Sequence, residues 1–497
     1  MVDATQQPAK PFAWHSLAPS WPLIAAIAAF LKSLACGSLL LGDPDTWMHI
    51  AAGNWMLAHH ALPAQDPFSH TMPGAPWVVH EWLAELIMAL TYDGFGWWGL
   101  VFLAASSFAL TVALLTRWLM QRMMPMLMLL MMTLSFVMLL PHLLARPHML
   151  ADPVLVLWCA GLIGARDAGR TPSLLLLPLM TLWANLHAGF MVGVALAGFL
   201  GGEAVFMATS KAERWAAARG WGLFTMLALL ASAITANGIG GLLLPLSFMG
   251  DKSVMHSYII EWSSANFDYF GPLELWIMLL IGAGWGLGLK LPLPRLALVL
   301  GFTHLALAHI RYIDLIAMVA PLAIAVPLDA QFRALIAQQP ISPLWQRLGA
   351  LTRPTEPPGL AAAFVVMLGI FALCASTPIV RADSSTSPGA ALAAAERLHL
   401  EGPVFNAFSF GGFLIYHDVK TFIDGRMEVY GEEFLSRYIA ASNGEEPALD
   451  ETLEHYGITW TLLHPNDGAV RVLDHLPGWQ RVYSDEFAVI HARVAAD

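Results

Sequence analysis

Charge is what this sequence has least of. Asp, Glu, Lys and Arg make up 12% of its residues, where a soluble domain carries about 25%. Hydrophobic residues make up 57%. Such a chain cannot cover itself with solvated side chains, which excludes an ordinary soluble globule. Lys and Arg total 25 against 36 acids, and no basic run is present, so nucleic acid is excluded as a partner. Cysteine is nearly absent. Cys36, Cys159 and Cys374 each sit in an apolar run, which excludes a disulfide framework and a cysteine-rich metal tract. No repeat of solenoid period occurs. The N-terminal stretch around Lys10 and His15 lacks a cleavable signal pattern, and the first apolar run is long enough to remain as a span.

What fills the chain is long apolar runs. Crossing a bilayer takes about 20 apolar residues, and about eleven segments qualify. They are 19–41, 96–116, 123–140, 149–165, 171–187, 189–208, 220–237, 272–289, 294–310, 312–328 and 359–378. Lys32 and Glu203 fall inside spans and are expected to snorkel or pair. The expected fold class is therefore an α-helical polytopic membrane protein. One set of loops carries Arg117, Arg122, Arg166, Arg170, Lys211, Arg214, Arg219, Lys290, Arg295, Arg333, Arg347 and Arg353, and the opposite set only Arg146, Lys252 and Arg311. The basic side is expected to be cytoplasmic, with residues 1–18 on it. Residues 42–95 and the tail then face outward, into the periplasm if the cell is Gram-negative.

Residues 329–358 read as a cytoplasmic linker with Pro340, Pro343, Pro354 and Pro357, and Ala382–Pro388 as a Ser-rich hinge. Of the formal charge of −11, the segment 381–497 contributes −10, from 8 Lys and Arg against 18 Asp and Glu. That tail reads as a soluble α/β domain. Helices are expected over 392–400, 432–441 and 448–455. Strands are expected over 404–406, 421–423, 458–463, 479–483 and 488–492.

Ionisable groups concentrate between the first two spans, in GDPDTWMHIAAGNWMLAHHALPAQDPFSHTMPGAPWVVHE. Such a cluster between membrane helices is a functional-site candidate. Thr46–His60 has apolar residues at helical spacing and fits an amphipathic surface helix. Pro63, Pro67, Pro73 and Pro76 impose an extended connector, and a second helix is expected to start near Val79 with Glu81, Trp82 and Glu85. Asp43 and Asp45, fixed by Pro44 at the exit of the first span, can deprotonate a hydroxyl, hold a divalent ion or pair with Arg. Asp45 can equally cap the helix that follows. His80 and Glu81 can form a second acid–base pair or complete a metal site with the aspartates. His59, His60 and His70 read as solvated. The other outward turns hold Arg146 and His148, Asn185 and His187, Asn237, Glu261, and Arg311 with Asp314. Arginine suits phosphate, so Arg146 and Arg311 can grip a lipid phosphate; an ion pair with Asp314 or Asp152 is the bland alternative. In the tail, Asp424 and Arg426 can touch a substrate or pin the tail to the membrane domain.

These motifs resemble a family. GDPDTWMHIAAGNWML, DPFSHT and WVVHEWLAE look like the first outer loop of bacterial multi-span proteins related to the GT-C glycosyltransferase superfamily. ARPHML, WANLHAGF, TANGIGG, IIEW, HIRYIDLIAMVAP and VFNAFSFGGFLIYHDVKTFIDGRMEVYG follow in similar order, so the resemblance spans residues 40 to 430. It implies a GT-C-like membrane domain over 19–380 with a C-terminal α/β domain over 381–497. It implies a polyprenyl-phosphate-linked sugar donor used at the outer face of the membrane; which sugar, and which envelope glycan, lipid or protein accepts it, does not transfer with the resemblance. A first-loop acidic motif in such enzymes serves as base or metal site, and Asp43 and Asp45 stand in that place.

The expectation is an inverting transferase with Asp43, Asp45 and Glu81 as candidate catalytic groups. His49, His80, Arg146, His148, Asn185, His187, Asn237, Glu261, Arg311, Asp424 and Arg426 are the expected substrate contacts. Asp43, Asp45 and His80 are the expected ligands of a divalent cation (Mg or Mn). The alternative is a non-catalytic membrane protein that binds a lipid-linked glycan or scaffolds envelope-glycan assembly. A transporter, which calls for inverted repeats and broken spans, ranks last because no such repeat is visible.

Overall fold

The computed structural model describes residues 17–247, 253–338 and 342–494. Lys10, His15, Lys252 and Pro340 lie outside the described residues. The chain runs α1 (Trp21–Cys36), α2 (Asp45–His59), α3 (Trp82–Met120), α4 (Pro125–Leu139), α5 (Pro147–Asp167), α6 (Leu177–Leu186), α7 (Phe190–Phe206) and α8 (Lys211–Ser232). It continues with α9 (Ile239–Ser247), α10 (Ser253–Tyr258), α11 (Pro272–Ile281), α12 (Leu293–Ala308), α13 (Ile313–Ile336), α14 (Pro343–Ala350) and α15 (Pro357–Ala375). The tail adds α16 (Gly389–Arg397), β1 (Val404–Asn406), α17 (Gly411–Tyr416), α18 (Met427–Ser442), α19 (Ala448–His455), β2 (Trp460–Leu463), α20 (Gly468–Leu473), β3 (Trp479–Ser484) and β4 (Val489–Arg493).

Each apolar run expected to span is helical. Among the described residues, 6 helices are long and apolar enough to cross a membrane, and four more apolar helices are shorter. The protein is thus a multi-pass membrane protein. Pattern alone sorts centre from rim. In α13, Leu315 to Ala325 are buried without a break, as a helix apolar on all sides must be when it lies at the middle of a bundle. By contrast, α15 is equally apolar but only 6% of its span is buried within the chain. It lies at the periphery, where lipid takes the place of protein. The two charges inside spans part ways. Glu203 is buried and pairs with Arg295 at 2.9 Å and Arg166 at 3.3 Å, whereas Lys32 is exposed.

The helix expected near Val79 starts at Trp82, and the second span follows it across a break at Gly96, whose φ is 60°.

The tail is a 4-stranded sheet in the order β1-β2-β4-β3, with β1 and β2 parallel and the other pairs antiparallel. Residues 421–423 do not join it. Thr421 pairs instead with Ser69 of the first loop. His70 N–H donates to Thr421 O at 3.0 Å and Thr421 N–H to Phe68 O at 3.1 Å. The sequence pattern was that of a strand, but the partner edge belongs to another part of the chain.

Beneath this bridge lies a buried charge cluster. Arg426 donates to both oxygens of Asp424, Nε–Oδ1 at 2.8 Å and Nη2–Oδ2 at 2.7 Å. Its Nη1 reaches Asp66 Oδ1 in the first loop at 2.6 Å. Tyr430 donates its hydroxyl to Asp424 at 2.6 Å. The guanidinium lies against the Phe68 and Trp77 rings, 5.0 and 4.7 Å away. Asp424 is 0% and Arg426 2% exposed, so these residues pin the tail to the first loop. Two glycines bring the surfaces still closer. A Cβ on Gly412 would collide with Pro44 O, and one on Gly425 with the Asp45 carboxylate.

Removing one partner of a buried ion pair leaves uncompensated charge and costs about 3–5 kcal/mol. Arg426→Ala is therefore expected to release the tail. Limited proteolysis of the full chain should cut the 376–388 connector at a lower temperature than in wild type, and unchanged protection would refute the pin.

Candidate functional site

The first-loop carboxylates meet at the N-terminus of α5. Pro147 occupies the first turn of α5 and holds Arg146 extended at φ −128°, ψ 164°, as a residue before proline prefers. From there Arg146 Nη2 donates to Asp45 Oδ2 at 2.9 Å and Nη1 to Asp43 Oδ2 at 3.2 Å. Nη1 also donates to Glu261. Backbone contacts fix the same junction: Ala145 N–H donates to Leu40 O at 2.7 Å and Thr46 Oγ1 to Ala145 O at 3.3 Å.

Asp43, Asp45, Arg146 and Glu261 thus come together, as candidates drawn from three distant stretches. The ion pair expected between Arg146 and Asp314 or Asp152 is replaced by these three acids. The capping role open to Asp45 belongs to Asp43, whose Oδ1 accepts the Asp45 N–H at 2.8 Å; Asp45 makes no side-chain cap bond. Asp43, Asp45 and His80 do not fit a metal set. Arg146 engages both aspartates, and among the described residues no group of three or more His, Cys, Asp or Glu is arranged to hold an ion.

One guanidinium cannot neutralise three carboxylates. Burial pushes the Asp45 carboxyl up to about 7; Arg146 opposes this, and Asp43, Glu261 and Glu81 add to it. Burial also acts on Glu261, but Arg146 and Arg311 outweigh it and hold its carboxyl below the usual range. Asp45 is the group that takes up the excess proton.

A second cluster lies one helical turn along α2. His49 follows Asp45 by four residues and so shares its face. Its Nδ1 lies 3.1 Å from Glu85 Oε1 and its Nε2 3.9 Å from Glu81 Oε2. Glu81 also meets His80 at 3.8 Å and His187 at 3.5 Å. Burial lowers His49 to about 4 and holds His187 well below its ordinary value. Burial works the same way on His80, but Glu81, Glu428 and Glu85 outweigh it and raise that histidine. His80 therefore carries the positive charge beside Glu81. His148 stands next to His187, ring centroids 6.3 Å apart.

Arg311 stacks over Trp262 at 4.5 Å and Tyr312 at 6.0 Å. Among the described residues its guanidinium makes no ion pair or hydrogen bond. Asn185 and Asn237 act as ties. Asn185 accepts from Trp82 Nε1 at 2.8 Å and donates to Thr181 O and Ile234 O, and Asn237 donates to Val79 O at 2.7 Å. Asp424 and Arg426, expected either at a substrate or as a pin, are the pin described above.

Sequence reading missed what Asp66 and Glu85 do. Glu85 stands four residues after Glu81 on the same helix face, a spacing visible in WVVHEWLAE. The pairing of Asp66 with Arg426 spans 360 residues and has no local signal.

No family model matches the chain, and no curated protein matches it in sequence. Solved structures do. The oligosaccharyltransferase of Archaeoglobus fulgidus in its apo form matches with a TM-score of 0.50 at 11% identity, over 89% of this chain and 69% of that one. The same enzyme tethered by a disulfide to an acceptor peptide with the NVT sequon matches at 0.49 and 13%, over 89% and 69%. ArnT from Cupriavidus metallidurans bound to undecaprenyl phosphate matches at 0.46 and 12%, over 96% and 98%. The likeness to the apo oligosaccharyltransferase is one of fold. It agrees with the GT-C-like helical membrane fold that the sequence motifs implied; the small C-terminal α/β domain is seen in the sheet of the tail.

The raised Asp45 carboxyl has a signed consequence. The folded protein keeps this proton up to about pH 7, while the unfolded chain releases it near the ordinary value of about 4. Stability from this group is full below pH 4 and falls as the pH rises to 7. Wild type should therefore lose melting temperature relative to Asp45→Asn across that window. A constant difference between the two would show that Asp45 titrates normally.

Proposed function

We propose that this protein is a membrane glycosyltransferase that moves a sugar from a polyprenyl-phosphate-linked donor to an envelope acceptor, on the periplasmic face of a bacterial inner membrane. The observation that carries the reading is the pair of first-loop carboxylates held on Arg146 at the mouth of the bundle, one of them poised near neutral pH. A base is most effective when its pKa lies near the working pH. The fold shared with the archaeal oligosaccharyltransferase supports glycosyl transfer as the general class.

The step follows from the residues. Asp45, ionised, accepts the proton of an acceptor hydroxyl. The hydroxyl oxygen forms a bond to the anomeric carbon from the face opposite the lipid phosphate. The bond between that carbon and the phosphate oxygen breaks, so configuration inverts and lipid phosphate departs with the electron pair. The departing phosphate needs a cation. Arg146 is already engaged by three acids; Arg311 is not, and its indole stack fixes the planar fork that suits phosphate. Asp43 and Glu261 keep Arg146, and through it Asp45, in position. The Glu81–histidine cluster lies one helical turn away along α2, beside His49.

A second reading is favoured by the same salt bridges. Asp43 and Asp45 bound to one arginine are also what a purely structural junction would contain, in a protein that binds a lipid-linked glycan or scaffolds its assembly without turning it over.

Glycan and lipid-linked sugar profiling of cells separates the two. Asp45→Asn is expected to cut transfer by about 10²- to 10⁴-fold, the usual contribution of a general base, and one defined decoration should vanish while its lipid-linked donor accumulates. Arg311→Gln should give the same profile at normal membrane levels of the protein. Unchanged profiles in both variants would leave the binding or scaffold reading.

A further inference from the structure

A second site lies on the other side of α2. Trp47 follows Asp45 by two residues, about 200° around the helix, and faces away from Arg146. It borders a cavity of about 390 Å³, closed by the segment leaving α15 and by α16 and α17. Nothing in the transfer reading uses this cavity.

Arg381 is its cation. The guanidinium centre lies 4.9 Å from the Trp47 ring and 5.1 Å from Trp97, and the two indoles meet edge to face at 4.7 Å. Ser387 Oγ accepts both Trp47 Nε1–H at 2.9 Å and Arg381 Nη2–H at 3.2 Å. A guanidinium has five N–H donors. Among the described residues Ser387 is the one hydrogen-bond acceptor Arg381 has, and its buried Nη1 has none. Stacking holds the fork in place, so little order remains to be lost when an oxyanion arrives.

The rest of the lining selects among oxyanions. Asp383 and Glu396 face the same cavity. Asp383 accepts from Ala390 N–H at 2.8 Å, and Glu396 is exposed at the rim. Two carboxylates against one arginine repel a simple anion. A molecule with a phosphate and an amine answers both signs. The place in the fold points to a lipid as its source. Arg381 follows shortly after Ala375, where the candidate membrane helix α15 ends, which is headgroup level, and Phe413 gives the cavity an apolar wall.

We propose that this cavity binds the headgroup of a phosphoethanolamine lipid, its phosphate on Arg381 and its ammonium on Glu396. The proposal stands apart from the transfer reading, and its test reads binding, not turnover. The full chain in detergent is titrated with short-chain phosphatidylethanolamine, short-chain phosphatidylglycerol, soluble phosphoethanolamine and inorganic phosphate, and melting temperature is followed. Phosphatidylethanolamine should stabilise wild type with at least about tenfold tighter apparent affinity than the other three. Arg381→Gln should weaken that response about tenfold, in line with loss of a charge-assisted pair. Glu396→Gln, a rim change that leaves the packing alone, should abolish the preference over phosphatidylglycerol. An unaltered response in Arg381→Gln overturns the site. Equal responses to the lipid and to soluble phosphoethanolamine overturn the lipid assignment. If Arg381→Gln fails to fold, a lipid preference surviving in Glu396→Gln overturns the proposal by itself.

Discussion

A guanidinium taken out of water must be matched by carboxylates, and this requirement organises the side of the molecule where the first loop, the bundle and the tail meet. Arg146 gathers Asp43, Asp45 and Glu261 at the top of the bundle. Arg426 gathers Asp66 and Asp424 beneath the tail. The first loop contributes to both clusters, so its two ends are fixed, one to the membrane helices and one to the soluble domain. In low dielectric these pairs are valuable less for their net energy than for the cost of breaking them. They define a single arrangement of loop, bundle and tail, and the candidate chemistry sits where the three meet.

The same accounting explains why the two outward arginines differ. Both lie on outer turns and looked interchangeable as phosphate ligands. Arg146 precedes a proline at a helix start that meets the first loop, and its donors are taken by acids. Arg311 follows a helix end, lies over an indole and, among the described residues, faces no carboxylate at bonding distance. Placement by neighbouring elements, not residue type, separates a structural cation from an available one. Burial, helped by the other acids around Arg146, in turn moves the Asp45 carboxyl up toward neutral pH.

Much of this was legible in the chain. Apolar runs marked every membrane helix, because burial in lipid demands them over a set length. Thr46–His60 and Ala448–His455 showed their helices through local periodicity, and Val404–Asn406 its strand. Asp43, Asp45, Arg146 and Glu261 were each singled out, since polar groups on outer turns of so apolar a protein are conspicuous. What stayed hidden was pairing at a distance. Thr421–Ile423 has the pattern of a strand whichever edge it joins, and nothing near it says that Ser69 supplies that edge. Asp66 carried no reading of its own in the sequence, and its partner Arg426 lies 360 residues away.

The near-contact at Gly425 and Gly412 bears on how the protein is made. Asp66 leaves the ribosome 360 residues before Arg426, and Asp45 a similar interval before Gly425. Through most of translation the first loop therefore stands open, with its acids hydrated and its docking face uncovered. Only when the tail that carries Asp424, Gly425 and Arg426 has been made can the seam close and the carboxylates enter their desiccated surroundings. A copy stopped before the tail would keep the first loop open, its acids in water and the Asp45 carboxylate not covered by Gly425.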